Sequence, residues 1–369
     1  MKRFLVFLSV LLVLTSCAPT REKTDVDENE DKVTVDDKSI IPNHKISEDE
    51  YKIMLPYRPS EARGTITNQI SNRLDIDQME EGLRRHSVKT FDPDSFFFEE
   101  GQYLTSDFII ETIEKNNPKR DKLKTKADHE KNPRIFSHVL EQNYLTKTKD
   151  DKVKLGGISL GISLKSIYRF RVEEGGPFYE TNISNQAAIK RGEEIAEALV
   201  KELRNKEGLE EVPIMIALYQ EQSISSQVPG NFIKQTVVEK GSSVINNWQN
   251  ISEKFVLFPS EEGKKNHIDD FEKVVKFGKG VGEYFPNYVG VIGEGLYIDN
   301  ELETMSLNIP IEFYGKSEIL GFTQYVYGLA KEVFPKHYNL EIKISSVDQV
   351  ESLLYREAGS DELNVHILH

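Results

Sequence analysis

Ile158, Leu160, Ile162 and Leu164 alternate with Ser159, Gly161, Ser163 and Lys165, and apolar residues return at Tyr168, Phe170 and Val172. A period of two sends successive side chains to opposite faces of an extended chain. The stretch therefore reads as one long strand, or two, with one face buried. Helical spacing follows. Ala188, Gly192, Ile195, Ala196, Leu199 and Leu203 line one side, and Gly208 is placed beyond as a C-cap. Ile214 to Tyr219 is a continuous apolar run, the pattern of a strand covered on both faces.

The same order returns later. Met305, Leu307, Ile309, Ile311 and Phe313 alternate with polar residues, and Pro310 implies an edge or a bulge. Ser317 is placed to cap a helix lined by Ile319, Phe322, Val326, Leu329 and Val333, which stops near Pro335. Leu340, Ile342 and Ile344 alternate as a closing strand. Two strand–helix–strand units in one chain point to an α+β fold with mixed or antiparallel sheets. The pair is either a tandem structural repeat or two instances of a common unit. Elsewhere, Ile70, Leu74, Ile76, Met79 and Leu83 have helical spacing over 70–86, as do Ile268, Phe271, Val274 and Val275. Residues 105–114 read as a short helix capped by Thr105 or Ser106, and residues 115–132 as an exposed, charged excursion.

The start of the chain is a different material. Lys2 and Arg3 precede an apolar run from Phe4 to Leu14 that is far shorter than the ~20 residues a membrane-spanning helix needs. That is the pattern of a cleavable secretory signal. Leu14-Thr15-Ser16-Cys17 then has the form of a lipobox. Cleavage falls before Cys17, whose thiol takes the lipid and becomes the anchor to the outer face of the membrane. Cys17 is the only cysteine, so the chain has no internal disulfide, and lipidation removes an otherwise exposed thiol. The expected partners of this segment are the lipoprotein maturation enzymes and the membrane itself.

The division expected from the sequence is a signal peptide over 1–16 and a disordered acidic tether over 17–50. An N-terminal α/β region over 51–262 and a C-terminal one over 263–369 follow. Asp25, Asp27, Glu28, Glu30, Asp31, Asp36 and Asp37 crowd the tether, which has too little apolar area to offset its ordering entropy. The net charge of −14 disfavours nucleic acid as a partner.

Four stretches carry a family likeness: Tyr57-Arg58-Pro59-Ser60-Glu61-Ala62-Arg63-Gly64, Gly156 to Gly161, Ile214 to Gly230, and Tyr288 to Gly295. Together with the lipobox they resemble the CamS family, the sex-pheromone precursor lipoproteins of low-GC Gram-positive bacteria. The likeness extends from about Lys52 to Glu357. It implies that the end of the signal peptide, once released, is trimmed to an apolar heptapeptide that prompts conjugative plasmid transfer in enterococci. The matching stretch is Val10-Leu11-Leu12-Val13-Leu14-Thr15-Ser16, which departs from the alanine–isoleucine–phenylalanine start of the known pheromone.

Catalytic signatures are missing. There is no P-loop, dinucleotide fingerprint or His-Glu-x-x-His motif, so neither a cofactor nor a metal is expected. Ser159 lies between Gly157 and Gly161 but inside a strand pattern rather than at a nucleophile elbow. The candidate ligand-binding residues are Arg58, Arg63, Glu221 and Gln222. Arg58 and Arg63, with Arg84 and Arg85, either bind a carboxylate or phosphate or pair with the surplus acidic residues. Glu221 and Gln222 follow a buried strand, where ligands sit in open α/β sheets. These features favour a non-enzymatic surface lipoprotein with a ligand- or partner-binding ectodomain. The alternatives are a cell-envelope hydrolase using paired carboxylates and a purely structural or adhesive protein.

Overall fold

The computed structural model describes residues 50–65, 72–149, 152–285, 290–312, 315–347 and 349–368. The signal, the lipobox with Cys17 and the tether lie outside them, as do Tyr288, Val289 and Phe313. In chain order the first half forms β1 (Lys52–Ile53), β2 (Asn72–Arg73), α1 (Ile76–Ser87), β3 (Phe97–Glu100), α2 (Ser106–Lys115), α3 (Lys126–Lys131), β4 (Phe136–Lys147), β5 (Val153–Leu164), β6 (Ile167–Phe170), β7 (Tyr179–Asn182), α4 (Asn185–Leu203), β8 (Ile214–Gln220), β9 (Gln222–Ser223), β10 (Asn231–Val238) and β11 (Gln249–Asn250). The second half forms β12 (Glu253–Phe258), α5 (Glu261–Asn266), α6 (Ile268–Tyr284), β13 (Ile292–Ile298), β14 (Glu301–Pro310), α7 (Lys316–Val333), β15 (Asn339–Ser345), β16 (Val350–Arg356) and β17 (Asn364–Ile367).

The first sheet has the order β1-β3-β4-β5-β8-β10-β11, and the second has the order β12-β13-β14-β15-β16-β17. The fold is α+β with mixed sheets. From β3 onward the first sheet pairs antiparallel, antiparallel, parallel, antiparallel, antiparallel. The second sheet runs through the same senses. In each of these five-pair runs the parallel pair is the one bridged by a long helix, because parallel neighbours need a crossover, and β1 also pairs parallel with β3 across α1. The second sheet begins at Glu253, ahead of the division expected at 262/263.

The two sheets are covered differently. In the first, Ile158, Leu160, Ile162 and Leu164 pack with Ile214, Ile216 and Leu218 beneath α2 and α4. The opposite face carries Met215, Ala217 and Tyr219 against Met79 and Leu83 of α1. Every residue of β8 is therefore buried, as its unbroken apolar run requires. The small residues of β5 let α1 approach closely. A Cβ on Gly157 would lie 2.1 Å from the Phe91 ring, and Ser159 is sealed under α1 with its hydroxyl 2.7 Å from that of Ser87. Ser159 is thus a packing residue. The second sheet buries one face against α6 and α7, and β14 alternates accordingly.

Three local expectations are corrected. Pro310 ends β14, a central strand, so it interrupts no ladder beyond it. The N-cap of α7 is Gly315 rather than Ser317. Gly208 does have a positive φ of 89°, but α4 ends earlier, at Leu203. The excursion over 115–132 is partly helical, with α3 closed by a Thr125–Asp128 capping box.

Candidate functional site

β3 is short. It pairs with residues 142–145 of β4 and ends at Glu100, so among the described residues no strand flanks β4 from 136 to 141 on that side. The space left there is a cavity of about 380 Å³. Its walls are β4, the inner side of α1 (Ile76, Glu80, Arg84) and the start of α2. The segment 57–65 covers it, contributing Tyr57, Ser60 and Arg63. The lining is mainly apolar, through Phe98, Leu104, Ile109, Val139 and Leu140, with a few convergent polar groups. That is the usual composition of a small-molecule site.

Glu100 fastens the covering segment. Its Oε2 accepts from the Ser60 backbone N–H at 2.6 Å, and its Oε1 accepts from the Tyr57 hydroxyl and from Arg63. Burial works to raise the Glu100 carboxyl, but these donors and the Arg63 charge outweigh it and hold the group below its ordinary range. Arg58 pairs with Glu99 at 3.2 Å and is not part of the lining.

Glu141 is fixed from the other side. Its carboxylate accepts from the backbone N–H groups of Gln102, Tyr103 and Leu104, the last at 2.7 Å. Burial dominates even so and pushes the carboxyl up to about 7. His138 is 5% exposed, and its Nδ1 has no hydrogen-bond partner. Burial lowers the imidazole to about 4, so the ring is neutral at physiological pH.

Glu80 is the remaining carboxylate. It faces the cavity from the middle of α1, and among the described residues no hydrogen bond or ion pair reaches its side chain. Burial, then the nearby Glu100 charge, raises it.

Glu221 and Gln222 lie elsewhere. Glu221 has no exposed surface. It accepts from Ser163 Oγ at 2.8 Å, and its own N–H donates to Leu164 O at 2.9 Å. Burial raises its carboxyl against the opposing effects of Ser137, Ser163 and Lys165. It joins the ends of the parallel pair rather than facing a ligand. Gln222 belongs to β9, opposite Arg73 of β2. Of the four candidates, the structure brings only Arg63 to the cavity.

The sequence reading missed Tyr57, Glu80, Glu100, His138 and Glu141. Tyr57 was adjacent to the arginines already singled out. Glu80 lies one helical turn from Ile76 on a spacing already read as helical. His138 and Glu141 carried no signal, because β4 itself was not recognised. Among the described residues no group of three or more His, Cys, Asp or Glu is placed to hold a metal ion, and no helix is long and apolar enough to cross a membrane.

No curated protein matches the chain significantly. The crystal structure of a sex pheromone precursor from Lactobacillus salivarius subsp. salivarius UCC118 is similar at a TM-score of 0.82 and 28% identity, over 90% of this chain and 99% of that one. The C-terminal domain of the sex pheromone staph-cAM373 precursor from Staphylococcus aureus is similar at a TM-score of 0.70 and 25% identity, over 79% of this chain and 96% of that one. A family model described as the CamS sex pheromone cAM373 precursor matches residues 57–362, most of the chain, and the protein belongs to that family.

Proposed function

We propose that this chain is a surface lipoprotein, held on the outer face of the membrane by lipid on Cys17, whose ectodomain binds a small ligand without transforming it. The observation that supports ligand binding is the cavity of about 380 Å³ bordered by the 57–65 segment. A mainly apolar recess of that size with a few convergent polar groups has the composition of a small-molecule site. Two of the three carboxylates around it are committed to holding backbone and covering segment, which leaves Glu80 without a second free carboxylate for paired-acid hydrolysis. Glu100 is saturated by three donors and Glu141 by three backbone N–H groups, so neither is free to shuttle a proton. Native mass spectrometry of the full chain, purified in detergent from its own host, tests the reading. A small-molecule adduct is expected, and Leu140→Trp, which fills the cavity, abolishes it. A wild-type protein that carries no adduct and binds none of a fragment library overturns it.

Anchoring rests on the lipobox, Leu14-Thr15-Ser16-Cys17. Cys17→Ala is expected to stop incorporation of labelled palmitate and to prevent signal cleavage. The description of the family as pheromone precursors supports a second product, a peptide ending at Ser16. Its detection in spent medium, and its loss with Cys17→Ala, is the corresponding measurement.

A further inference from the structure

We propose that the guest of this cavity is a compact molecule with an apolar body and one protonated amine, whose ammonium group is held by Glu80 while its body lies along the wall that His138 helps to form. This rests on the reading of the cavity as a ligand site and adds the chemistry of the ligand.

The inference follows from accounting for each charge on the lining. Arg63 is neutralised by Glu100. Arg84 has Glu50 at 3.4 Å. Glu100 and Glu141 are filled by their own donors. Once these pairs are closed, Glu80 is the charge left over. It sits in a largely apolar space, with no donor on its carboxylate among the described residues. Nearby Glu100 and Asp77 make the local field more negative, and the Arg63 and Arg84 charges, which oppose them, have the smaller effects. A partly buried carboxylate without a partner is costly, and an incoming cation removes that cost.

Other guests fit less well. An anion would meet Glu80 and Glu100 while both arginines are already engaged. A neutral apolar guest would strip water from Glu80 and leave it uncompensated. A divalent metal ion needs more oxygen or nitrogen ligands than Glu80 and His138 supply, and no third such residue joins them among the described residues. An ammonium group needs only one carboxylate and a few acceptors, because its three N–H donors are directed by the guest rather than by a fixed coordination geometry.

His138 is the second observation. It lies on the same face of β4 as Gln142, whose Nε2 donates to the Glu80 backbone carbonyl at 2.8 Å, so α1 lies over this face. The ring is almost fully buried at the cavity wall with Nδ1 unpartnered. Nδ1 itself has no exposed surface, so the neutral ring gives the guest a buried, uncharged wall.

The test is isothermal titration calorimetry of the full chain in detergent with three isosteric probes: phenethylammonium, 2-phenylethanol and 3-phenylpropanoate. Titration into detergent alone serves as the blank. The ammonium is expected to bind at least tenfold more tightly than the alcohol, and the propanoate more weakly than either. Glu80→Gln is expected to abolish the ammonium's advantage, weakening the ammonium and strengthening the alcohol, which no longer desolvates a charge. Leu140→Trp is expected to remove binding of both. Equal wild-type affinities for ammonium and alcohol, or tightest binding of the propanoate, overturn the amine while leaving the cavity as a ligand site. An ammonium preference that survives Glu80→Gln overturns the role of Glu80. No binding by any probe, together with no native adduct, overturns both the amine and the ligand-site reading.

Discussion

Glu253, the first residue of β12, accepts a hydrogen bond on Oε2 from His86 Nε2 of α1 at 2.8 Å, so a residue of the second sheet is gripped by a helix of the first. Arg85 reaches the same oxygen at 2.8 Å, and Oε1 accepts from the Phe232 backbone N–H at 3.1 Å. The Glu253 side chain is only 1% exposed. Burial works to raise its carboxyl, but the His86 hydrogen bond and the Arg85 charge outweigh it, and the group is held below its ordinary value of 4.5. For an acid depressed on folding, the stabilising contribution is complete above the unfolded value and is lost as pH falls through the lower folded one. Urea unfolding of the wild type is therefore expected to lose stability below about pH 4.5, and Glu253→Gln to flatten that loss. Glu253→Ala is expected to cost about 3 kcal/mol at pH 7, since it leaves a backbone N–H and a partly buried guanidinium without their acceptor. An unchanged acid limb in the glutamine variant would show that Glu253 is not the group responsible.

Glu141 gives the opposite slope. Its folded value near 7 lies above the ordinary 4.5, so the native state holds its proton more tightly than the unfolded chain does. That contribution is complete below about pH 4.5 and is lost as pH rises through 7. Glu141→Gln, which keeps the shape and stays neutral, is expected to remove this decline in a stability profile taken from pH 4 to pH 8. Superposable profiles for the two proteins would count against it.

The packing of Phe91, just beyond the end of α1, on β5 depends on a residue without a side chain. Phe91 is stacked on Tyr144 with ring centroids 4.5 Å apart, and its edge occupies the space that a Gly157 Cβ would need. Gly157→Ala is expected to cost about 1–3 kcal/mol through overpacking. Combining it with Phe91→Leu is expected to cost less than the sum of the two single changes. Strict additivity in chemical denaturation would contradict this account of the contact.

The Arg63–Glu100 pair should be nearly silent in global stability, because Arg63 is 59% exposed. Arg63→Ala is expected to leave the unfolding free energy almost unchanged, because exposed ion pairs contribute little. It should nonetheless loosen the covering segment. Hydrogen exchange at the Ser60 amide, which donates to Glu100 at 2.6 Å, is the measurement, and a several-fold faster exchange is expected. Unaltered exchange at Ser60 would mean that the other donors alone keep the segment closed.

The parts of the fold that the sequence disclosed are those where one rule applied along a whole element. β5 and β14 alternate because each carries its core on one face, and α4 and α7 keep a continuous apolar stripe. β4 escaped because it breaks that rule. It is buried almost throughout, yet Ser137, His138, Glu141, Gln142 and Asn143 are polar. Those residues serve the neighbouring backbone and the cavity rather than the core, so hydropathy gave no sign of the strand. The candidate site suffered for the same reason. Arg63 stood out as a cation in an acidic chain, but the groups that shape the cavity are carboxylates and a histidine, which look ordinary in a sequence with 61 acidic residues. Glu221 was placed correctly at the end of a buried strand, and only its complete burial, invisible in one dimension, separates it from a ligand-binding position.

Each sheet closes its own ladder. β11 is the last strand of one and β12 the first of the other, and among the described residues no strand is shared between them. A pulling force applied across the junction would therefore meet side chains rather than rows of backbone hydrogen bonds. That makes the Glu253 joint the mechanical weak point: under load the two sheets should part there before either of them unravels.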